Sequence, residues 1–297
     1  MVIIEGKNIM PSLPHPMIYE DIVRRALLED IGRGGDLTTD AIVSDRDTAA
    51  ASIVARKAGR VAGLEVARLA FHLLDPEVKF EILRADGLDA EAGDRLAYIT
   101  GPARPILTGE RTALNFLGRL SGIATVTRDV VAIVAPHRAR VVCTRKTTPG
   151  LRLLEKYAVR AGGGSNHRFG LDDAVLIKDN HIVAAGGDVS EAIRRVRGHV
   201  GHMVKVEAEV DTLEQLEIAL KENIDAVLLD NMDVPTLREA VRMANAANSR
   251  ILTEASGGIT PETAGAIAST GVDLMSIGWL THSAPALDVS LDFSFRI

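Results

Sequence analysis

The sequence predicts an α/β protein whose second half forms a parallel sheet rolled into a small barrel. Three observations predict it. After Pro136, short apolar runs recur at regular intervals. Each run is followed by a polar residue or glycine and then by a segment of helical period. The intervening helices carry start signals, such as Asp188 with Glu191 and Thr212 with Gln215. Strands that alternate with helices over this length build a parallel sheet.

Taken in order, residues 1–17 hold three prolines and little periodicity, and read as an irregular arm. A helix is expected from Ile18 to Ile31, with Ile18, Ile22 and Ala26 on one face. Gly32 to Thr39 (GRGGDLTT) has the glycines of a positive-φ turn. A phosphate loop is the rival reading, but no strand precedes this stretch and no P-loop lysine follows. Residues 50–55, 78–83 and 95–100 read as strands, with a helix from Leu64 to Leu74. A long helix is expected from Thr108 to Ala135, on the shared face of Ala113, Leu117 and Leu120. Arg111 would sit in its first turn, where the helix dipole mildly disfavours a cation, and reads by itself as a surface arginine.

The six apolar runs are Arg140–Cys143, Ala174–Ile177, Met203–Val206, Asp225–Leu229, Arg250–Thr253 and Val272–Met275. A seventh strand is expected just before Arg140 or within Leu151–Ala158, where helix and strand patterns overlap. The tail, Leu287 to Ile297, is a strand candidate that could return to the first domain.

Composition narrows the function. A hydrophobic fraction of 46% and a charged fraction of 25% are ordinary for a soluble globular protein. No apolar run approaches the ~20 residues of a membrane helix, and no secretory signal is visible. A single cysteine, Cys143, excludes an intrachain disulfide and suits a reducing cytoplasm. Net charge of −6 and 3% aromatic residues argue against nucleic-acid binding.

Charge is unevenly spread. From Arg138 to Lys178 there are nine Arg/Lys against three acids, a local excess of six positive charges in an acidic chain. This is either a solvated basic face or a pocket for a strong anion. Chemistry in parallel α/β folds sits at the carboxyl ends of strands. The residues that follow the runs are Arg145 and Lys146, then Lys178, then Glu207 and Glu209, then Asp230, then Glu254 with Ser256-Gly257-Gly258, and finally Ser276 and Gly278.

Each has a role that its chemistry allows. Ser256-Gly257-Gly258 before Thr260-Pro261 offers backbone N–H groups and a helix start to a phosphate, and Ser276-Ile277-Gly278 could complete the cradle. Glu207 and Asp230 could hold Mg²⁺ directly or through water, bind ribose hydroxyls, or only pair with Lys146 and Lys178. Arg145, Arg168 and Arg111 suit bidentate binding of carboxylates, with His167 as a neighbouring donor. His181 reads as a turn cap and Cys143 as core. A Schiff-base lysine at Lys146 or Lys178 is a rival chemistry.

The stretch CTRKTTPGLRLLEKYAVRAGGGSNHRFGLDDAVLIKDNH, Cys143 to His181, resembles the signature of quinolinate phosphoribosyltransferase, also called carboxylating nicotinate-nucleotide pyrophosphorylase. The resemblance extends to EDIGRGGDLTT, ERTALNFLGRLSGIAT, VKVEAEVDTLEQ, LLDNM, EASGGIT and GVDLMSIGWLTHS. It implies an N-terminal α/β sandwich, residues 1–116 rejoined by 283–297, and an incomplete seven-stranded α/β barrel, residues 117–282. It implies transfer of phosphoribose from phosphoribosyl pyrophosphate to quinolinate, with Mg²⁺, giving nicotinate mononucleotide, pyrophosphate and CO₂ for NAD biosynthesis. Arg145, His167 and Arg168 would hold the quinolinate carboxylates with Lys146 and Lys178. Glu207 and Asp230 would serve the ribose and Mg²⁺. Ser256, Gly257, Gly258, Ser276, Ile277 and Gly278 would hold the phosphate. Lys146, Lys178, Glu207 and Asp230 are the expected catalytic set. The resemblance also implies a cytoplasmic homodimer, or a higher homo-oligomer, with Arg111 reaching the substrate of the neighbouring chain. A relative on the same scaffold with a different acceptor remains the alternative.

Overall fold

The computed structural model describes residues 13–248 and 250–296. The expected arm therefore lies mostly outside the described residues. Helix α1 (Pro16–Ile31) starts two residues earlier than its apolar period suggests, because Pro16 is pre-set for a first helical position. It ends at Gly32, and Asp36 then caps α2 (Leu37–Ile42) by accepting the Thr39 N–H at 3.0 Å. GRGGDLTT is thus a helix-to-helix turn, as the absence of P-loop signals predicts.

Strand β1 (Thr48–Ala55) is buried along nearly its whole length. The short β2 (Gly59–Arg60) leads to α3 (Leu64–Leu74), then β3 (Lys79–Ile82), β4 (Asp89–Ala90) and β5 (Arg95–Pro102). Asp86 caps α3 from a distance, accepting the N–H of Gly63 at 2.7 Å and of Leu64 at 3.2 Å. Helix α4 (Ala103–Val134) has 32 residues and begins well before the expected Thr108. Pro105 does not prevent this, because the first-turn N–H groups have no intrahelical partner to lose. Arg111 consequently sits two turns inside the helix, where the terminal dipole does not act.

Beyond α4 come β6 (Arg140–Val142), α5 (Arg152–Ala161), β7 (Val175–Ile177), α6 (Asp179–Ala184) and α7 (Val189–His199). Then follow β8 (Val206–Val210), α8 (Leu213–Ala219), β9 (Ala226–Asp230), α9 (Val234–Ala247), β10 (Leu252–Ser256), α10 (Pro261–Ala268), β11 (Leu274–Ser276), α11 (Trp279–His282) and β12 (Val289–Arg296). Leu151–Ala158 is helical, since Leu154, Ala158 and Ala161 bury one stripe. The seventh strand position is instead a one-residue parallel bridge, Ser165 to Val142, beside β6.

Two compact units result. Unit 1 comprises the chain up to Arg128, Thr147–Gly163 and the segment from Leu280 onward. It holds an antiparallel sheet, β12-β1-β5-β3, and the β2-β4 pair. The tail strand β12 pairs with β1 over eight residues. The chain before it lies against α4, where a Cβ on Gly122 would come 1.9 Å from the Pro285 carbonyl oxygen, so only glycine fits.

Unit 2 comprises Asp129–Lys146 and Gly164–Trp279. Its sheet is parallel throughout, in the order β6-β11-β10-β9-β8-β7. Register sorts its residues by face. Ile177, Ala208, Val227, Thr253, Ala255, Leu229 and Met275 are cross-strand neighbours on one face, and helices such as α7, α8 and α9 cover the sheet. Glu207, Glu209, Leu228, Asp230, Glu254, Ser256 and Ser276 line the other. An apolar face meets helices and a polar face is left for chemistry, as strand alternation dictates.

Candidate active site

The polar face of unit 2 carries most of the residues expected from the strand ends. Strands β8 and β10 each start later than their apolar runs suggest, so Glu207 and Glu254 lie inside strands. Both are buried, at 8% and 1% exposure. His167 joins them. Its Nε2 lies 3.0 Å from Glu207 Oε2 and 3.5 Å from Glu254 Oε1. These three groups offer ligand atoms within 4.8 Å of one another, the spacing of a metal site.

The hydrogen bonds decide what that cluster is. The backbone N–H of Arg168 donates to His167 Nδ1 at 2.7 Å. Nδ1 must therefore present its lone pair, and the ring proton belongs on Nε2, where it donates to Glu207. A metal ligand would need the opposite tautomer. The cluster is a His167–Glu207 hydrogen bond with the Glu254 carboxyl beside it. Burial, then the charge of Glu207, pushes the Glu254 carboxyl up to about 7. Its Oε1 has no hydrogen-bond donor among the described residues.

Glu209 is the acid that the strand-end reading named but gave no role. It shares the face of Glu207, one pair closer to the carboxyl end of β8. Lys178 Nζ meets its Oε2 at 2.5 Å. Register also sets the depth of Glu207 relative to Asp230. Glu207 stands opposite Ala226, four residues before Asp230, which is about 13 Å along the strand. Glu209 stands opposite Leu228 and is the nearer acid. Sequence alternation identifies both glutamates as one face, but only the register between strands ranks their depth.

Arg145 and Arg168 supply the positive side. Burial, then the neighbouring Arg145, holds the Arg168 guanidinium below the usual arginine range. Arg168 Nη1 is anchored on the Ala174 carbonyl at 2.8 Å. Two guanidiniums in mutual repulsion form a receptor for an anion. Lys146 and Lys178 are exposed, and Lys178 lies on a carboxylate. Neither has the desolvated setting of a Schiff-base lysine. His181 accepts the Lys178 N–H at 2.9 Å and caps α6, and Cys143 is core, both as expected.

The glycine loop after β10 meets the end of β9. Asn231, at φ 52°, donates from Nδ2 to Asp230 Oδ2 at 2.6 Å and from its backbone to the Ser256 carbonyl at 2.9 Å. A Cβ on Gly257, at φ 95°, would come 2.0 Å from Asn231 Oδ1. The Ser256-Gly257-Gly258 turn and Asp230 are therefore one construction, and Asn231 is the joint that sequence motifs left unnamed. Thr260 and Thr263 then cap α10 reciprocally. Ser276 ends β11, and Ile277 and Gly278 continue from it.

Arg111 belongs to unit 1. It is exposed on α4, at a cavity of about 280 Å³ lined also by Glu29, Asp30, Asn115 and Arg119. Among the described residues, no helix is long and apolar enough to cross a membrane.

Known proteins resemble the chain along nearly its whole length. Residues 36–121 match the family model of the quinolinate phosphoribosyl transferase N-terminal domain, and residues 123–292 that of the C-terminal domain. The chain is 46% identical over 271 residues to a Bacillus subtilis (strain 168) protein named probable nicotinate-nucleotide pyrophosphorylase [carboxylating], covering 91% of this chain and 92% of that one. It is 44% identical to the nicotinate-nucleotide pyrophosphorylase [carboxylating] of Mycobacterium leprae (strain TN), covering 92% and 96%. The crystal structure of NadC from Streptococcus pyogenes superposes with a TM-score of 0.91 at 40% identity, over 96% of this chain and all of that one. With both of its domains matched in order and relatives this similar along nearly the whole length, the chain belongs to the quinolinate phosphoribosyl transferase family.

Proposed function

We propose that the chain transfers phosphoribose from phosphoribosyl pyrophosphate to quinolinate and releases pyrophosphate and CO₂, yielding nicotinate mononucleotide for NAD biosynthesis. One observation carries the reading beyond family membership. Arg168 lies near both Arg145 and Glu207, and its neighbour His167 meets Glu207 at 3.0 Å, on the sheet face that also carries Glu209 and Asp230. Paired guanidiniums beside that face suit a dicarboxylate.

Arg145 and Arg168 grip the quinolinate carboxylates. His167, hydrogen-bonded to Glu207, shapes the floor beneath them. Lys146 and Lys178 face the pyrophosphate. The Ser256–Gly258 turn and Ser276–Gly278 hold the 5′-phosphate. The ring nitrogen attacks C1 of the ribose as pyrophosphate leaves. Asp230 and Glu209 stabilise the positive charge that develops on the ribose, since preorganised charge is usually the largest catalytic term. The quaternised ring then accepts the electrons of the departing carboxylate, and no covalent enzyme intermediate forms.

The oxygen donors Asp230 and Glu209 fit Mg²⁺, which prefers oxygen and keeps part of its water shell. Bound there, Mg²⁺ supplies charge neutralisation for the pyrophosphate. The active unit is a cytoplasmic homodimer, in which Arg111 reaches the quinolinate of the neighbouring chain. The deciding assay combines quinolinate, phosphoribosyl pyrophosphate and Mg²⁺, and follows nicotinate mononucleotide and CO₂. Turnover of nicotinate but not quinolinate would overturn the reading in favour of a relative with a different acceptor.

A further inference from the structure

Glu155 is fully buried, and the reaction does not use it. Its carboxylate accepts the Thr148 N–H at 3.0 Å, the Thr148 hydroxyl at 2.7 Å, and Arg119 Nε and Nη2 at 3.1 and 2.8 Å. Arg119 reaches further. Its Nη1 donates to the Ala284 carbonyl at 3.0 Å and its Nη2 to the Thr281 carbonyl. Arg152 Nε donates to the Thr147 hydroxyl at 3.1 Å.

A buried ion pair is weak evidence for stability, since apolar replacements often do as well. What matters is where the remaining bonds end. Here they end on two segments: Thr147–Thr148, ahead of α5, and Thr281–Ala284, which begins in α11. On the other side of the first segment, the Lys146 N–H donates to the Thr144 hydroxyl at 3.0 Å. Lys146 is therefore exposed in mid-turn with both flanks of the backbone pinned. A flexible, strongly hydrated ammonium on a mobile turn would lose orientational entropy when it meets an anion.

We propose that Arg119 and Glu155 are positioning residues for Lys146: through Thr148 they fix the turn from which it meets the pyrophosphate of the phosphoribosyl donor. The proposal rests on the assignment of Lys146 to the donor made above. Unlike Arg111, neither residue needs to touch a ligand. Pre-ordering the turn removes a cost that substrate binding would otherwise bear.

The test uses Thr148→Val, which removes the hydroxyl but keeps shape and backbone, and Arg119→Lys, which keeps charge but not the fork. Hydrogen exchange is measured on the whole enzyme first. Peptides covering 144–151 should exchange about tenfold faster in both variants, with the strands of unit 2 unchanged. Unchanged exchange there overturns the proposal whatever Lys146 does. Kinetics come second. Thr148→Val should lower kcat/KM for the phosphoribosyl donor about tenfold while leaving the KM for quinolinate alone. A parallel loss for both substrates, with a matching fall in Tm, would mean a merely structural network. Lastly, Thr148→Val should add little to Lys146→Ala, because both act through one group. Full additivity overturns the positioning role. A fully active Lys146→Ala enzyme would instead sink the assignment of Lys146 to the donor, and with it the purpose of the anchor, while faster exchange would still show the anchor itself.

Discussion

Two buried glutamates teach opposite lessons. Glu155 in unit 1 and Glu254 in unit 2 are equally removed from water, at 0% and 1% exposure. Glu155 receives a guanidinium, a hydroxyl and a backbone N–H. Glu254 receives no hydrogen bond at Oε1 among the described residues and faces a second carboxylate, Glu207. The same contrast holds for cations. Arg119 is consumed by carbonyls and a carboxylate, whereas Arg168 holds one carbonyl and lies beside a second guanidinium, Arg145. Folding alone would not select the second arrangement. Unsatisfied and like-charged groups gathered in one place mark where a ligand completes the electrostatics.

The largest expected effect removes one of the repelling guanidiniums. Arg145→Ala should lower kcat/KM by about a thousandfold, as expected when a bidentate carboxylate contact is lost from a desolvated site. Its Tm should change far less than its activity, because the guanidinium serves the ligand. A steady-state assay beside a thermal melt checks both. Near-normal turnover would make the guanidinium pair a structural feature and erase the contrast.

Next come the glutamates themselves. Glu155→Gln leaves Arg119 without its counter-charge in a buried site and should cost about 3 kcal/mol of stability. Glu254→Gln should do the reverse at high pH. A carboxyl with its folded value raised contributes stability below its unfolded value and loses it as pH rises through the folded one. The wild-type chain should therefore weaken between about 4.5 and about 7. The glutamine variant should lack that slope and gain up to about 3 kcal/mol above pH 7. Urea melts at pH 5 and pH 8 decide it; parallel curves for wild type and variant would contradict the raised carboxyl.

Much of this contrast was legible in the sequence, and the missing part has a common cause. Arg145, Lys146, Lys178, Asp230 and the Ser256–Gly258 turn follow apolar runs, a local pattern read along one chain segment. The turn at Gly32, the cap at His181 and the core position of Cys143 are local too. Ranking Glu207, Glu209 and Glu254 by depth requires the register between β8, β9 and β10, which no periodicity reports. His167 finds Glu207 across 40 positions, and Arg119 finds Glu155 across 36. Asn231 stood inside the LLDNM motif, yet its role appears only when Gly257 comes against it. Helix α4 starts at Ala103 rather than Thr108, because a proline in the first turn does not oppose a helix.

Gly257→Ala probes that joint. The substitution forces a Cβ into Asn231 at a positive φ and should cost about 2 kcal/mol. Because Asn231 holds Asp230, the KM for phosphoribosyl pyrophosphate should rise while that for quinolinate changes little. Equal changes in both would mean that the glycine turn does not belong to the donor side.

The smallest effect returns to unit 1 and runs the other way with pH. Asp89 receives Arg60 Nε at 3.0 Å and Nη2 at 2.9 Å, and Arg128 Nη1 at 2.7 Å. The hydrogen bonds from Arg60 hold its carboxyl down to about 2, against partial burial. A depressed carboxyl contributes stability above its unfolded value and loses it as pH falls through the folded one. The loss should therefore fall between about 3.8 and about 2, the opposite slope to Glu254. Asp89 is half exposed, so water and salt screen the pair, and Asp89→Asn should cost no more than about 1 kcal/mol at neutral pH. That cost should shrink in 1 M salt, where the Debye length is about 3 Å, while the slope set by the buried Glu254 should persist. If salt moved both alike, burial would not be what separates the charges that hold this fold together from those kept for a ligand.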